Sequence, residues 1–190
     1  MIYTTYNLLR EHWACTLRYR KLGGIRQYGE DTPITPIQIL DSNGLDDALW
    51  ALRAMEPEDE RDRLVRLYIY NCVVHVLPLY ENQYPGDRRI RNVIETSRLY
   101  ADGKASADEL REARKSAQSA AIDIPLGEAR DSAWAATWEA FYTTEDTAVG
   151  AFWVAGLART AAGDALSAAG AAEEEWQVEQ FRKVFGGNAE

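Results

Sequence analysis

Apolar residues recur along this chain of 190 residues at the three- and four-residue spacing of an α-helix. Leu45, Leu49 and Leu52, for example, lie at positions i, i+4 and i+7, which share one face of a helix. No run of alternating apolar and polar residues is long enough to require a β-sheet. The spacing therefore predicts an all-α protein, a compact multi-helix bundle of about seven to eight helices.

Glycine, proline and capping residues predict where individual helices begin and end. A first helix, apolar on two sides, is predicted over residues 5–22, because a pair of glycines follows it. A longer helix is predicted over residues 57–80, and Pro78 is expected to kink or end it because proline lacks the backbone N–H. Ser106 and Glu109 have the spacing of a capping box, which predicts that a helix begins there.

The composition changes after residue 125, where the chain becomes rich in alanine with widely spaced aromatic residues. Small residues let helix backbones approach closely, and we expect large aromatic side chains to fill the remaining gaps. The predicted stripes are Trp134, Trp138 and Phe141; Val149, Trp153 and Gly156; and Trp176, Phe181 and Val184. We therefore divide the chain into an N-terminal helical part, residues 1–124, and an acidic Ala-rich part, residues 125–190, packed as one domain.

The negative charge is concentrated towards the C-terminus. The formal net charge of the chain is −9 at pH 7, and residues 116–190 hold twelve acidic and four basic side chains, a net charge of −8. Nucleic acid is an unfavourable partner, because neutralising phosphates needs clusters of Lys and Arg. An acidic surface can instead attract a basic protein, or serve solubility alone. The acidic residues predicted to bind a partner are Glu128, Asp131, Glu139, Glu145, Asp146, Glu173, Glu174 and Glu175.

Two short motifs are the candidates for a metal site. His12-x-x-Cys15 and Cys72-x-x-His75 contain every histidine and cysteine of the chain, each pair at i, i+3 on a predicted helix. If the two helices packed face to face, the four side chains could surround Zn²⁺. The alternative, which we favour, is a pair of thiols in apolar helix stripes, where free cysteine is common. We therefore expect no cofactor.

No motif in the sequence indicates a particular reaction. Gly-x-Ser-x-Gly, a phosphate-binding loop and a dinucleotide fingerprint do not occur. Cys15 with His12 as its base would be a nucleophile, but a thiol on an apolar helix face is usually inert. The sequence has no run of about 20 apolar residues that would span a membrane and no start typical of a signal peptide, which favours the cytoplasm.

Several segments together resemble one known family. They are residues 42–53 (Ser-Asn-Gly-Leu-Asp-Asp-Ala-Leu-Trp-Ala-Leu-Arg), residues 71–81 with the Tyr84-Pro85 turn, residues 90–103, and the Ala/Trp-rich stretch that ends in Glu175-Trp176-Gln177. They resemble the immunity proteins predicted in bacterial polymorphic toxin systems, and related uncharacterised phage proteins. The resemblance implies a helical protein that binds and neutralises another protein, and it supplies no catalytic residues.

These observations support three hypotheses about function. The first is a protein-binding inhibitor, of immunity or phage anti-defence type, that occludes a toxin or a nucleic-acid-binding defence protein in the bacterial cytoplasm. The second is a small metal- or thiol-dependent helical enzyme that uses His12, Cys15, Cys72 and His75. The third is a structural protein that self-assembles, as a homodimer for example, through the two-sided first helix.

Overall fold

The fold consists of helices throughout the part of the chain that the structure describes. This structure is a computed structural model, and it describes residues 1–15, 22, 29–144, 147–163 and 168–186. Nine α-helices and one short 3₁₀ helix (Leu52–Ala54) occur within those ranges, with no β-strand. The α-helices are α1 (Tyr6–Glu11), α2 (Pro36–Asn43), α3 (Leu45–Ala51), α4 (Glu58–Glu81), α5 (Arg89–Ala101), α6 (Ala107–Asp123), α7 (Glu128–Tyr142), α8 (Thr147–Ala162) and α9 (Ala168–Phe185). The predicted all-α fold is confirmed.

Helix α4 is the helix around which the others are arranged. It packs against α7 and α8, which also pack against each other, and these are the most extensive contacts between helices. Helices α5 and α6 pack against each other and against α7, while α3 and α9 pack against α8. Buried side chains from before and after residue 125 belong to one apolar cluster. The position of a boundary between residues 124 and 125 stays a prediction.

Alanine fills the interior of α7 and α8. The buried alanines, each at most 1% exposed, are Ala133, Ala135, Ala136, Ala140, Ala148, Ala151, Ala155, Ala158 and Ala161. Two tryptophans of the same helices are exposed, Trp138 by 39% and Trp153 by 56%, whereas Trp134 is partly buried against the core. The expectation that aromatic residues fill gaps between these helices holds for Tyr142, which lies over Gly150 of α8, but not for Trp138 and Trp153.

In α9, by contrast, large side chains do enter the core. Phe181 and Val184 are buried as predicted, and the Phe181 ring packs against Tyr68 of α4 with 5.7 Å between ring centres. Trp176 of the same helix is only partly buried. All six tryptophans of the chain keep some exposure to solvent, and three of them, Trp13, Trp138 and Trp153, are exposed by more than a third.

The first helix is much shorter than the spacing of its residues predicts. Helix α1 ends at Glu11, and the N–H groups of Trp13 and Ala14 turn back to the carbonyls of Arg10 and Leu9. This is the Schellman arrangement, in which the residue after the cap takes the left-handed conformation that glycine usually adopts. Here that residue is Trp13, with φ of 63°. A single helix over residues 5–22 is therefore wrong, and residues 16–21 lie outside the described ranges.

Helix α4 continues through the proline that was expected to disturb it. Pro78 lies inside the helix, which ends three residues later at Glu81. Proline removes one N–H, so the carbonyl of Val74 loses its helical donor. Val74 lies on the exposed side of α4, where water can bond that carbonyl instead. The helix thus ends close to the predicted residue 80, and it tolerates Pro78 because the missing bond faces solvent.

Both ends of the chain segment before α4 are anchored by backbone hydrogen bonds. Tyr3 exchanges two bonds with Glu56, and Thr4 exchanges two with Ile34, all between 2.8 and 2.9 Å.

The predicted capping box at Ser106 is confirmed, since Glu109 N donates to Ser106 Oγ and Ser106 N donates to Glu109 Oε2. None of the helices in the described ranges combines the length and the apolar character needed to cross a membrane.

Candidate functional site

The two His/Cys pairs do not come together in the structure. His12 and Cys15 lie beyond the end of α1 and are exposed, whereas Cys72 is completely buried in α4. Burial raises the pKa of the Cys72 thiol well above its usual range, so this group stays protonated and unreactive. No group of three or more His, Cys, Asp or Glu side chains within the described ranges is arranged to hold a metal ion. The hypothesis of a joint metal site with His75 is therefore wrong for this fold.

Four of the acidic residues predicted to bind a partner are accessible. Glu128 is exposed in the first turn of α7, and Asp131 is partly exposed one turn later. Glu174 and Glu175 are exposed on α9. Helices α7 and α9 both pack against α4 and α8, so these carboxylates lie on two different helices of one assembly. Glu145 and Asp146 lie outside the described residues.

Two other acidic residues of that set are buried. Glu139 is 3% exposed and Glu173 is 4% exposed, so neither belongs to an acidic surface. Their place in the predicted acidic surface is therefore wrong, although charged residues in an acidic helix usually face water. Within the described residues only Asp47, Glu139 and Glu173 are buried carboxylic acids, so two of the three lie in the Ala-rich part.

Glu173 and Gln177 of α9 together contact residues of α4 and α8. Its Oε2 lies 3.1 Å from His75 Nε2 on α4, and its Oε1 accepts a hydrogen bond of 3.0 Å from Gln177 Nε2. The same amide nitrogen lies 3.0 Å from the carbonyl of Ala155 on α8. The Trp176 ring stacks on the His75 imidazole with 3.8 Å between ring centres.

The ionisation of this cluster follows from its burial. Burial raises the pKa of Glu173 to about 7 and lowers the pKa of His75, since both charged forms lose contact with water. Near neutral pH the Glu173 carboxyl is therefore divided between its protonated and ionised forms, and the lowered pKa of His75 disfavours a full ion pair between the two groups. The cluster fastens α9 to α4 and α8, and the sequence could not reveal it because Glu173 stands in a run of three glutamates.

Glu139 is held by two hydroxyl groups. Ser97 Oγ of α5 donates to Glu139 Oε1 at 2.8 Å, and Thr143 Oγ1 lies 3.1 Å from the same oxygen. Burial raises the pKa of Glu139 to about 7, and the two hydroxyl contacts oppose that shift only in part. A carboxyl group with a pKa near neutrality can donate or accept a proton or a hydrogen bond under ordinary conditions.

Three aromatic side chains of α7 pack on one another, and Trp153 is exposed on the neighbouring α8. The ring of Trp138 packs edge-on against Phe141 at 5.5 Å and is stacked near Tyr142 at 5.8 Å between ring centres. Tyr142 in turn lies directly over Gly150 of α8, where a Cβ would overlap it. Trp153 follows Gly150 by one helical turn, and Trp138 precedes Tyr142 by one turn. Because four residues join the two helices, we expect them to be antiparallel with both tryptophans on the same side.

Comparison with known families shows where the chain belongs. A family described as "Imm-5 like putative immunity protein" matches residues 55–184, more than half of the chain. The chain belongs to this Imm-5 like family. The resemblance to immunity proteins is confirmed, and membership supports an immunity-type role for the protein.

The Imm-5 like match covers α4 to α8 and all of α9 except its last residue. It therefore includes Glu139, Glu173 and the exposed tryptophans of α7 and α8. Residues 42–53, which contributed to the resemblance, and the His12–Cys15 pair lie before the matched range. No match was found among curated proteins or among solved structures.

Proposed function

We propose that this Imm-5 like protein binds a toxin-class protein and neutralises it by covering the surface through which the toxin acts. Inhibition of this kind needs a preformed surface and no reaction, so we assign the protein no catalytic residues. The proposal includes a bacterial cytoplasmic location and, for a phage-encoded version, a nucleic-acid-binding defence protein as the target.

The exposure of Trp138 and Trp153 is the observation that carries this proposal. Helices normally bury their large apolar residues, whereas Trp138 of α7 and Trp153 of α8 are exposed while alanines of the same helices are buried. Leaving an indole in water costs free energy that burial against a partner would recover. Tryptophan is also among the residues most enriched at the energetic centres of protein interfaces. The pair is therefore proposed as the apolar anchor for the partner.

The exposed negative charges of α7 and α9 indicate that the partner has a basic surface. Glu128, Glu174 and Glu175 are exposed, as described above, and suit a basic surface. Two of the four basic residues in 116–190 are already engaged by the N-terminal part, because Arg159 bonds Asp46 at 2.8 Å and Arg182 bonds Asp41 at 2.5 Å. These pairs lower the positive charge left to offset the acidic residues of α7 and α9. A basic partner would thus associate faster at low ionic strength.

Partner capture with matched variants tests the proposal. The tagged wild-type protein and a Trp138→Ala/Trp153→Ala variant are incubated with lysate of the native source, at low and at high salt, and captured proteins are identified by mass spectrometry. We expect a basic protein that the wild type retains at low salt and the variant does not. Leu126→Ala serves as the control, because Leu126 is also apolar and largely exposed but lies before α7.

Two results would count against the proposal. One is a captured protein that the double tryptophan variant retains as well as the wild type does, since the anchor would then lie elsewhere. The other is binding that strengthens as salt increases, because association led by opposite charges weakens under screening. Self-assembly as a homodimer stays a separate prediction, which light scattering on the same samples tests.

A further inference from the structure

A pocket of about 400 Å³ opens where α4, α5 and α7 meet. Its lining includes Glu139, Ser97 and Thr143, whose hydrogen bonds are described above. Leu67 and Tyr70 of α4 also line it and contribute an apolar surface and an aromatic ring. The volume lies in the range of small-molecule sites, which are typically about 300–1,000 Å³. It exceeds by far the share of about 30 Å³ that one water molecule occupies, so a single water would not fill it.

One oxygen of Glu139 has no partner in this pocket. Both hydroxyl contacts, from Ser97 and Thr143, are made to Oε1. The other oxygen, Oε2, is buried and forms no hydrogen bond with the described residues. A buried polar atom that stays unbonded is costly, and native structures usually satisfy such atoms. Oε2 is therefore the atom on which a bound molecule would gain most.

Two arginines give the pocket a positive side. Arg66 and Arg98 both line it, and neither forms an ion pair with any described residue. The Arg98 guanidinium carbon lies 6.0 Å from the centre of the Tyr70 ring. Two further charged residues of the lining are already paired, since Arg63 bonds Glu60 at 2.9 Å and Asp102 bonds Lys104 at 3.2 Å. The chain has a net charge of −9, so the two unpaired guanidinium groups beside this cavity form a positive region in a protein that is negative as a whole.

We propose that this pocket binds a small planar organic anion. Its ring would pack on Tyr70 and Leu67, and a carboxylate or phosphate on the ring would bond Arg66 and Arg98. Glu139 Oε2 lies buried beneath the lining, and a small shift of the lining would let a polar atom of the ring reach it. A cationic ligand is disfavoured because both unpaired arginines would repel it. This pocket differs from the proposed toxin-binding surface, because the pocket is lined by arginines and the surface is exposed and acidic. Either site can therefore exist without the other.

Titration calorimetry with four probes tests the proposal. The probes are adenosine monophosphate, guanosine monophosphate, benzoate and inorganic phosphate. Comparing the ring-bearing probes with inorganic phosphate tests whether a ring is needed. Comparing the nucleotides with benzoate tests whether the pocket prefers a phosphate or a carboxylate. We expect saturable binding of at least one ring-bearing probe, and weaker binding of inorganic phosphate. Arg66→Gln and Arg98→Gln should each reduce the affinity of that probe about tenfold. Arg88→Gln is the control, since it removes an exposed charge that does not line the pocket.

Glu139→Gln distinguishes a role for Oε2 from general charge attraction. In this variant an amide nitrogen takes the place of Oε2. That nitrogen only donates hydrogen bonds, whereas a carboxylate oxygen accepts them. We therefore expect the relative affinities of the two nucleotides to change, because their ring edges present different donors and acceptors. Native circular dichroism confirms that each variant is folded before titration.

Three results would overturn the proposal. The first is no saturable binding of any of the four probes at millimolar concentration. The second is inorganic phosphate binding as tightly as every ring-bearing probe, which would mean that the ring is not recognised. The third is an affinity that falls equally in Arg88→Gln and in the two pocket variants, which would reduce the effect to overall charge.

Discussion

The helices before residue 125 and the pair α7–α8 fill their interiors with side chains of opposite size. Leu49, Leu52 and Ile69 are completely buried in the first region, whereas Ala136 and Ala155 occupy such positions in the second. Leucine and isoleucine keep helices apart and contribute most of the buried apolar area. Alanine contributes little area but allows close approach, and it leaves two tryptophans of α7 and α8 on the outside. We therefore expect the first region to supply most of the stability, and the second region carries the surface proposed above for binding.

The largest expected effect comes from removing a large core residue of the first region. Leu52→Ala should lower the free energy of unfolding by about 2–5 kcal/mol, because it leaves a cavity in the core. Urea denaturation followed by circular dichroism measures the change. The exposed Leu126, changed to Ala, should alter stability by no more than about 0.5 kcal/mol. Equal losses at the two sites would contradict the assignment of the stabilising core to the first region.

The buried acid of α7 should make stability depend on pH. The pKa of Glu139 is about 7 in the folded protein against an ordinary value of 4.5, so the folded state keeps its proton to a higher pH than the unfolded state. The resulting stabilisation is complete below about pH 4.5 and is lost as pH rises through about 7. Between about pH 5 and about pH 8 the wild type should lose about 2–3 kcal/mol more than Glu139→Gln.

Urea denaturation of both proteins at the two pH values measures this difference. Glu173 shifts in the same direction but is present in both proteins, so its contribution cancels. Glu174→Gln, on the exposed side of α9, should keep the wild-type pH dependence. A Glu139→Gln variant with an unchanged pH dependence would show that this carboxyl titrates normally.

A single methyl group tests how tightly α7 and α8 pack. Gly150→Ala places a Cβ that would overlap the Cβ and ring of Tyr142, and overpacking of this kind costs about 1–3 kcal/mol. Gly156→Ala is the matched control on the same helix, because a Cβ there meets nothing within 4 Å. It should be neutral or stabilise the helix by up to about 1 kcal/mol. Similar melting temperatures for the two variants would mean that the helices separate easily.

The smallest effect concerns an ion pair between the two regions. Arg159 of α8 bonds Asp46 of α3 at 2.8 Å, and the carboxylate is well exposed. A double-mutant cycle with Arg159→Ala and Asp46→Ala should give a coupling energy of about 0.2–1 kcal/mol, falling with salt. A larger coupling that resists salt would indicate that charges, rather than apolar packing, hold the regions together.

Local signals in the sequence were sufficient for most helix boundaries. The capping box at Ser106 was readable because its chemistry involves neighbouring residues only. The end of α1 could not be predicted in this way. Glycine usually takes the left-handed position after a helix, and here Trp13 takes it instead. The first helix was therefore extended to the next glycines along the chain.

The candidate site was harder to predict than the helices. Which face of an Ala-rich helix turns inward depends on its neighbours, so the exposure of Trp138 could not be read from spacing. The burial of Glu139 depends on Ser97, which is distant in sequence. Charge counting grouped this residue with the surface carboxylates for that reason. The family resemblance, in contrast, rests on sequence alone and was confirmed.

The solvent exposure of all six tryptophans has a consequence for spectroscopy. An indole in contact with water emits at longer wavelengths than one enclosed by apolar groups, and here every indole already has some contact with water. Unfolding should therefore displace the emission maximum only slightly. A molecule that covers α7 and α8 should displace it to shorter wavelengths. Intrinsic fluorescence of this protein thus reports what covers its surface more directly than whether its chain is folded.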